Sequence, residues 1–239
     1  LLLLLALNPA RALDNGYGAT PGMGWNSDYC TRCASPQQNG FGGERFVKHI
    51  ATYLNESSLQ AKGYRFVNMD ASWDLPTRDP ATGDLRPDPV LWPSGIKHTV
   101  DFVHSLGLGF GLYGDKGSED CANNPGQLNH TTKDARFLAR IGVDWWKEDS
   151  CHSSGTNAEQ IAAYAEMRDA LNATGRPVWF ALCGWETFYA TDSGGGQAIG
   201  NSWRIGPDTG TGWSAVMINA RRGLAVAASG VPGPSKSGG

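Results

Sequence analysis

Apolar positions along the chain alternate between two rhythms. Residues 44–54 carry Val47, Ile50 and Leu54 at helical spacing, and Gly63 follows as a stop. Residues 65–70, RFVNMD, are instead a short β-prone run ending in an acid. The exchange then repeats. Ile96, Val100 and Val103 mark a helix closed by Gly107, and residues 108–113, LGFGLY, predict a strand. Residues 131–139 read as helix and 143–147 as strand. Ile161, Tyr164, Arg168 and Leu171 lie along a further helix, for which Asn157 with Gln160 three positions on resembles a capping box. Strand patterns follow at 178–182 and 202–205, and an apolar-rich stretch over 213–228 reads as the last helix. Ahead of all these, residues 21–27 suggest a turn and a short first strand.

The runs centred near residues 67, 110, 145 and 180 are 35 to 43 positions apart, a spacing that suits repeated βα units. Strand and helix alternate without hairpin signals, so the sheet is predicted to be parallel. A doubly wound sheet would show a glycine fingerprint after its first strand, and none is present. Polar and acidic residues sit at the carboxyl end of nearly every strand, where (β/α)8 TIM barrels carry their chemistry. The predicted fold class is therefore α/β, a (β/α)8 barrel. Six strands are clear in the 239 residues, and a closed barrel takes about 250, so the chain is expected to be incomplete at its C-terminus, before the last strand.

Composition narrows the function classes. A hydrophobic content of 40% with nine Trp is ample for a packed core. A net charge of −3 argues against nucleic acid or an anionic membrane as partner. Leu1–Leu7 is too short to span a bilayer and leads to Ala10-Arg11-Ala12, a small-x-small cleavage pattern. Residues 1–12 are accordingly expected to be part of a signal peptide, and residues 13–239 a catalytic domain. Sequons at Asn55, Asn129 and Asn172 agree with a secretory route, ending outside the cell or in a lysosome or vacuole. Five Cys in that setting favour disulfides over metal. Cys30-x-x-Cys33 has no second pair to complete a zinc site, and the five His show no ligand spacing, so neither metal nor cofactor is expected.

The candidate chemistry centres on GVDWWKEDSC, residues 142–151. Strand alternation sends Lys147 and Asp149 to one side and Glu148 to the other. An ammonium beside a carboxylate favours the ionised acid that a nucleophile requires, although a surface ion pair fits the same spacing. The strand ends together supply Asp70, Tyr113, Asp115, Lys147, Asp149, Trp185, Glu186, Arg204 and Asp208. Acids with aromatics suit sugar chemistry, in which two carboxyls flank a glycosidic bond. Asp208, on a loop after Gly206-Pro207 with Arg204 to hold it, is the better acid candidate; Pro-Asp-Thr-Gly is also a good turn sequence.

TPGMGWNS, GYRFVNMDASW, WPSGIKHTVDFVHSLGLGFGLYGDKG, GVDWWKEDSC and IGNSWRIGPD, in this order from Thr20 to about Ala228, resemble the successive motifs of the clan-D α-galactosidases, glycoside hydrolase family 27. The resemblance implies retaining hydrolysis of terminal α-D-galactosides on a TIM barrel, usually followed by a C-terminal β-domain. It implies Asp149 as nucleophile and Asp208 as acid/base. Asp70, Tyr113, Lys147 and Arg204 match sugar-binding positions, with Trp185 and Cys121 beside them, and Cys121 and Cys151 match a disulfide. The chain departs from the pattern at Asp28, where the family has a stacking Trp; at Ala71, where a second acid is usual; at Ser72, which removes the usual partner of Cys30; and at Gly184, where some members carry a Glu. An α-N-acetylgalactosaminidase, with Gly184 and Thr187 leaving room for an acetamido group, a β-L-arabinopyranosidase, or a non-catalytic sugar-binding relative are the alternatives.

Overall fold

In the computed structural model the described residues are 13, 15–28, 43–185, 188–191, 195–210 and 212–228. The expectations for residues 1–12, Cys30, Cys33, Glu186, Thr187 and the tail from 229 lie outside them. Among the described residues six strands occur: β1 (Gly24–Asn26), β2 (Phe66–Asn68), β3 (Gly109–Asp115), β4 (Trp145–Asp149), β5 (Trp179–Leu182) and β6 (Ser202–Trp203). They pair in chain order, and every pairing is parallel. Parallel neighbours need crossovers, supplied by α1 (Gly43–Glu56), α2 (Ile96–Ser105), α3 (Thr131–Ile141) and α4 (Asn157–Ala173). Two four-residue helices, α5 (Phe188–Thr191) and α6 (Gly196–Ile199), precede β6, and α7 (Trp213–Ala228) follows it. The arrangement is the curled, partial sheet of a (β/α)8 barrel. Neither α5 nor α6 was legible in the sequence, because four residues are too few to display a helical period.

The segment ahead of β1 reaches the residues just before β5 and β6. Asn15 Nδ2, ahead of β1, donates to Val178 O at 2.6 Å, and Asn201 Nδ2, just before β6, donates to Asn15 Oδ1 at 2.9 Å. Large aromatics close the floor of the curl: Trp145 and Trp179 stack with centroids 4.4 Å apart, and Phe66 meets Trp145 at 5.1 Å. The glycines of LGFGLY make that filling possible. A Cβ on Gly111 would lie 2.1 Å from Asn68 Oδ1 and 2.8 Å from Trp145 Cβ, so the position has no room for a side chain.

The opposite face of each strand packs against the helices. Val67, Phe110, Leu112, Trp146 and Phe180 are buried there with Val47 and Leu54 of α1, Val100 and Val103 of α2, Leu138 of α3, and Tyr164 and Met167 of α4. The capping box of α4 sits one position earlier than the sequence suggested. Thr156, not Asn157, is the N-cap: Thr156 Oγ1 accepts from Glu159 N at 3.3 Å, and Glu159 Oε2 accepts from Thr156 N at 2.7 Å. Both Asn and Thr can cap, and only the preceding backbone decides which residue takes the extended cap conformation.

Candidate active site

The carboxyl ends of the strands place their polar residues on one rim. Asp70, two residues past β2, is 5% exposed, and its Oδ2 accepts from Lys147 Nζ at 2.8 Å and Asn26 Nδ2 at 3.2 Å. Its backbone N–H donates to Ser27 Oγ at 2.8 Å. Lys147 therefore reaches across the sheet to Asp70, whereas the sequence reading set it against Asp149. Neighbours two apart on a strand share a face, but the flexible Lys147 side chain takes its ion-pair partner from the loop that follows another strand. Burial works against the Lys147 ammonium, yet Asp70 holds its pKa above the usual lysine value. The ammonium also lies 5.0 Å from the Tyr113 ring centroid.

Asp149, also 5% exposed, has other partners. Tyr113 Oη donates to its Oδ2 at 3.1 Å, and Ser150 N donates to its Oδ1 at 2.9 Å. Burial and the Asp149 charge push the Tyr113 phenol far above its usual range, so it stays a donor. Close to Asp149, Cys121 and Cys151 form a disulfide with Cα atoms 5.2 Å apart. Asp115 Oδ2 accepts from Cys151 N at 2.6 Å and its Oδ1 from Gly117 N at 2.7 Å, tying the disulfide loop to the end of β3. Asp115, Cys121, Asp149 and Cys151 bring ligand-type atoms within 4.8 Å of one another. Both sulfurs are committed to the disulfide, so the set offers no thiolate to a metal.

β5 and β6 supply the remaining wall. Arg204 Nη1 forms an ion pair with Asp208 Oδ1 at 2.8 Å and lies 3.4 Å from Cys183 Sγ, while its Nε donates to Gly206 O at 2.5 Å. Its guanidinium sits 6.0 Å from the Trp185 ring, which is 42% exposed. The expected hold of Arg204 on Asp208 is thus present. Cys183 is a free, buried thiol, pushed up to about 12 by burial. The Asp208 side chain is 71% exposed, in contrast to the recessed Asp149.

A cleft of about 460 Å³ opens between these elements, lined by Lys147, Cys183, Arg204 and Asp208 and, from the β1 side, by Asp28. Asp70, Tyr113 and Asp149 lie next to this cleft, joined to it through Lys147, rather than in its wall. Another cleft, of about 490 Å³, is lined by Asp84, His130, Lys133, Arg136, Arg140 and Glu166. It borders α3 and α4 and holds none of the strand-end acids, so the smaller one is the candidate site. Sequence reasoning missed Asn26 and Ser27 as supports of Asp70; a polar pair ending a barrel strand was the available signal. The space expected at Gly184 is filled: a Cβ there would lie 2.0 Å from the Tyr189 ring. No acetamido group gains room from that glycine.

The sequence profile of the family described as alpha galactosidase A matches residues 20–222. A probable alpha-galactosidase of Dictyostelium discoideum is 37% identical over 219 residues, covering 92% of this chain and 54% of the relative. Alpha-galactosidase 3 of Arabidopsis thaliana is 39% identical over 225 residues, covering 92% and 48%. The solved structure of an alpha-galactosidase from Saccharomyces cerevisiae with raffinose superposes with a TM-score of 0.69 at 34% identity, over 81% of this chain and 41% of that one. The chain spans about half the length of the curated relatives it matches.

Proposed function

The chain belongs to the alpha-galactosidase A family, and from that membership we propose that it takes part in retaining hydrolysis of terminal α-D-galactosyl residues, with Asp149 as nucleophile and Asp208 as acid/base. The observation that supports the proposal is that two unlike carboxyls, Asp149 and Asp208, lie within Arg204's field at the strand ends. Asp149 is recessed and held by Tyr113, and Asp208 stands exposed in the cleft on Arg204. The charges of both bear on that same arginine. An exposed acid meets the leaving-group oxygen, which carries the rest of the substrate and the solvent; a recessed carboxylate meets the anomeric carbon from within.

In the first step Asp208 gives its proton to the glycosidic oxygen while an Asp149 oxygen bonds to the anomeric carbon and the C–O bond breaks. In the second, Asp208 takes a proton from water, which displaces Asp149 and releases the sugar with its configuration retained. The Tyr113 hydroxyl and the Ser150 N–H orient the nucleophile. Asp70, fixed by Lys147 and Asn26, offers its second oxygen and the lysine its remaining protons to sugar hydroxyls. The raffinose bound to the yeast relative supports a galactose-containing substrate.

Asp149→Asn tests this reading in the full-length enzyme. Hydrolysis of p-nitrophenyl α-galactoside is expected to fall by at least three orders of magnitude, on the scale of losing a covalent nucleophile, while galactose still binds. Turnover within tenfold of the parent would remove Asp149 from the mechanism.

We also propose that the protein follows a secretory route. Asn55, Asn129 and Asn172 are all exposed, and the disulfide suits an oxidising compartment. Protein made in its own host is expected to lose mass on endoglycosidase treatment. An unchanged mass would count against the route.

A further inference from the structure

Asp28 is a cleft residue that the proposed reaction leaves unused. Its position is set by a short chain of side-chain bonds. Asn26 Oδ1 accepts from Asp28 N at 2.8 Å, the turn by which an Asn side chain fixes the residue two places on. The other end of that same amide, Asn26 Nδ2, donates to Asp70 Oδ2 at 3.2 Å. Asp28 and Asp70 are thereby held by one asparagine, and Lys147 anchors Asp70 in turn at 2.8 Å.

Among the described residues, the charges around the cleft leave Asp28 without an ion-pair partner of its own. Lys147 and Arg204 are, among the described residues, the two cations in its wall, and each already has a carboxylate partner at 2.8 Å, Asp70 and Asp208 respectively. Among the described residues no ion pair includes Asp28. Partial burial, and then the charges of Asp70 and Asp208, push its carboxyl above the usual range, while Lys147 and Arg204 pull the other way. A carboxylate that faces a cleft with no donor to it among the described residues can accept what a polyhydroxylated ligand carries in excess.

We propose that Asp28 is a specificity-determining residue, whose carboxylate accepts hydrogen bonds from hydroxyls of the terminal sugar on the β1 side of the cleft. The proposal rests on the glycosidase reading and deepens it. Asp208 and Arg204 close the cleft from the β6 side, so a sugar seated between them and Lys147 presents its remaining hydroxyls to Asp28. The same charge rejects acidic sugars, because a uronate carboxylate brought beside Asp28 and Asp70 meets like charge with both local cations already engaged. The ligand class is a neutral hexopyranoside with free hydroxyls.

The test uses full-length enzyme, its Asp28→Ala and Asp28→Asn variants, and two measurements. In the first, galactose, its monodeoxy analogues and galacturonic acid are titrated calorimetrically; in the second, p-nitrophenyl α-galactoside is turned over. Removing a charged acceptor is expected to weaken galactose binding and raise KM on the order of tenfold, with a smaller change in kcat. For the deoxy sugar lacking the contacted hydroxyl, Asp28→Ala should cost nothing further, and both variants should tolerate galacturonic acid better than the parent does. Equal losses across all deoxy sugars, or none, overturn the proposal. A parent that binds galactose without hydrolysing it sinks the catalytic reading and leaves the binding measurement to decide on Asp28. A parent that binds no galactose overturns both.

Discussion

Lys147 is where the barrel interior trades stability against function. Its ammonium neutralises Asp70, whose side chain is 7% exposed, and it does so from a strand two places away in the sheet. Removing one partner of such a pair leaves a buried charge alone, at a typical cost of about 3–5 kcal/mol. Lys147→Met is therefore expected to lower the urea midpoint markedly, and Lys147→Met combined with Asp70→Asn to recover part of the loss. If the double variant is no more stable than the single one, the lone charge is not the cause. Tyr113 has the matching duty at Asp149, and its phenol is held in the donor state by burial and by the acid it serves. These roles were legible as residue types at strand ends. Which lysine proton goes to which carboxylate was not, because Asp70 and Lys147 lie 77 positions apart and nothing local relates them.

At the scale of elements, β3 and β4 show how small and large residues exchange volume. Gly111 sits opposite Trp145 in the register, and Gly114 leaves a space in which a Cβ would fall 2.2 Å from the Trp146 ring. The glycines of β3 are thus the complement of the tryptophans of β4, on the interior face and the helix-facing one. α4 depends on a different device. Its start is fixed by the reciprocal bonds of Thr156 and Glu159. Thr156→Ala is expected to cost about 1 kcal/mol, read as a lower thermal midpoint with catalysis unchanged. Asn157→Ala should cost a few tenths at most, since Asn157 is not the cap; a larger loss at Asn157 than at Thr156 would contradict the cap assignment. Helix and strand periods were readable over these lengths, whereas the cap register depends on one backbone conformation that both Thr and Asn accept.

Among the described residues several acids are buried, in the strand-end loops, at the end of β3, on β4 and on α3. Burial, and then Asp120, pushes Asp74 to about 8, and burial pushes Asp115 to about 6. Burial also raises Glu148, Asp120 and Asp134. Each such group favours the proton in the folded state. Below the unfolded value, near 4, it costs the fold nothing; as pH rises from there through the folded value, ionisation is increasingly penalised. The groups with lowered values, Glu44, Asp79, Asp101 and Glu159, lose their contribution only at lower pH, outside that window. The thermal midpoint is therefore expected to be higher at pH 5 than at pH 8 at constant ionic strength. A midpoint that is flat or rises toward pH 8 would show that these carboxyls ionise in the fold without penalty.

By itself the sequence determined the repeated βα order, the parallel sheet and the set of residues at the strand ends, because periods of 2 and 3.6 and the residue that ends each run are local properties. Only the tertiary structure decided that Lys147 serves Asp70, that Tyr113 holds Asp149, that Tyr189 fills the space beside Gly184, and that Asp28 faces Arg204 and Asp208 over one cleft. Those relations are set by the curl and register of six strands, which bring together side chains that no spacing along the chain can relate.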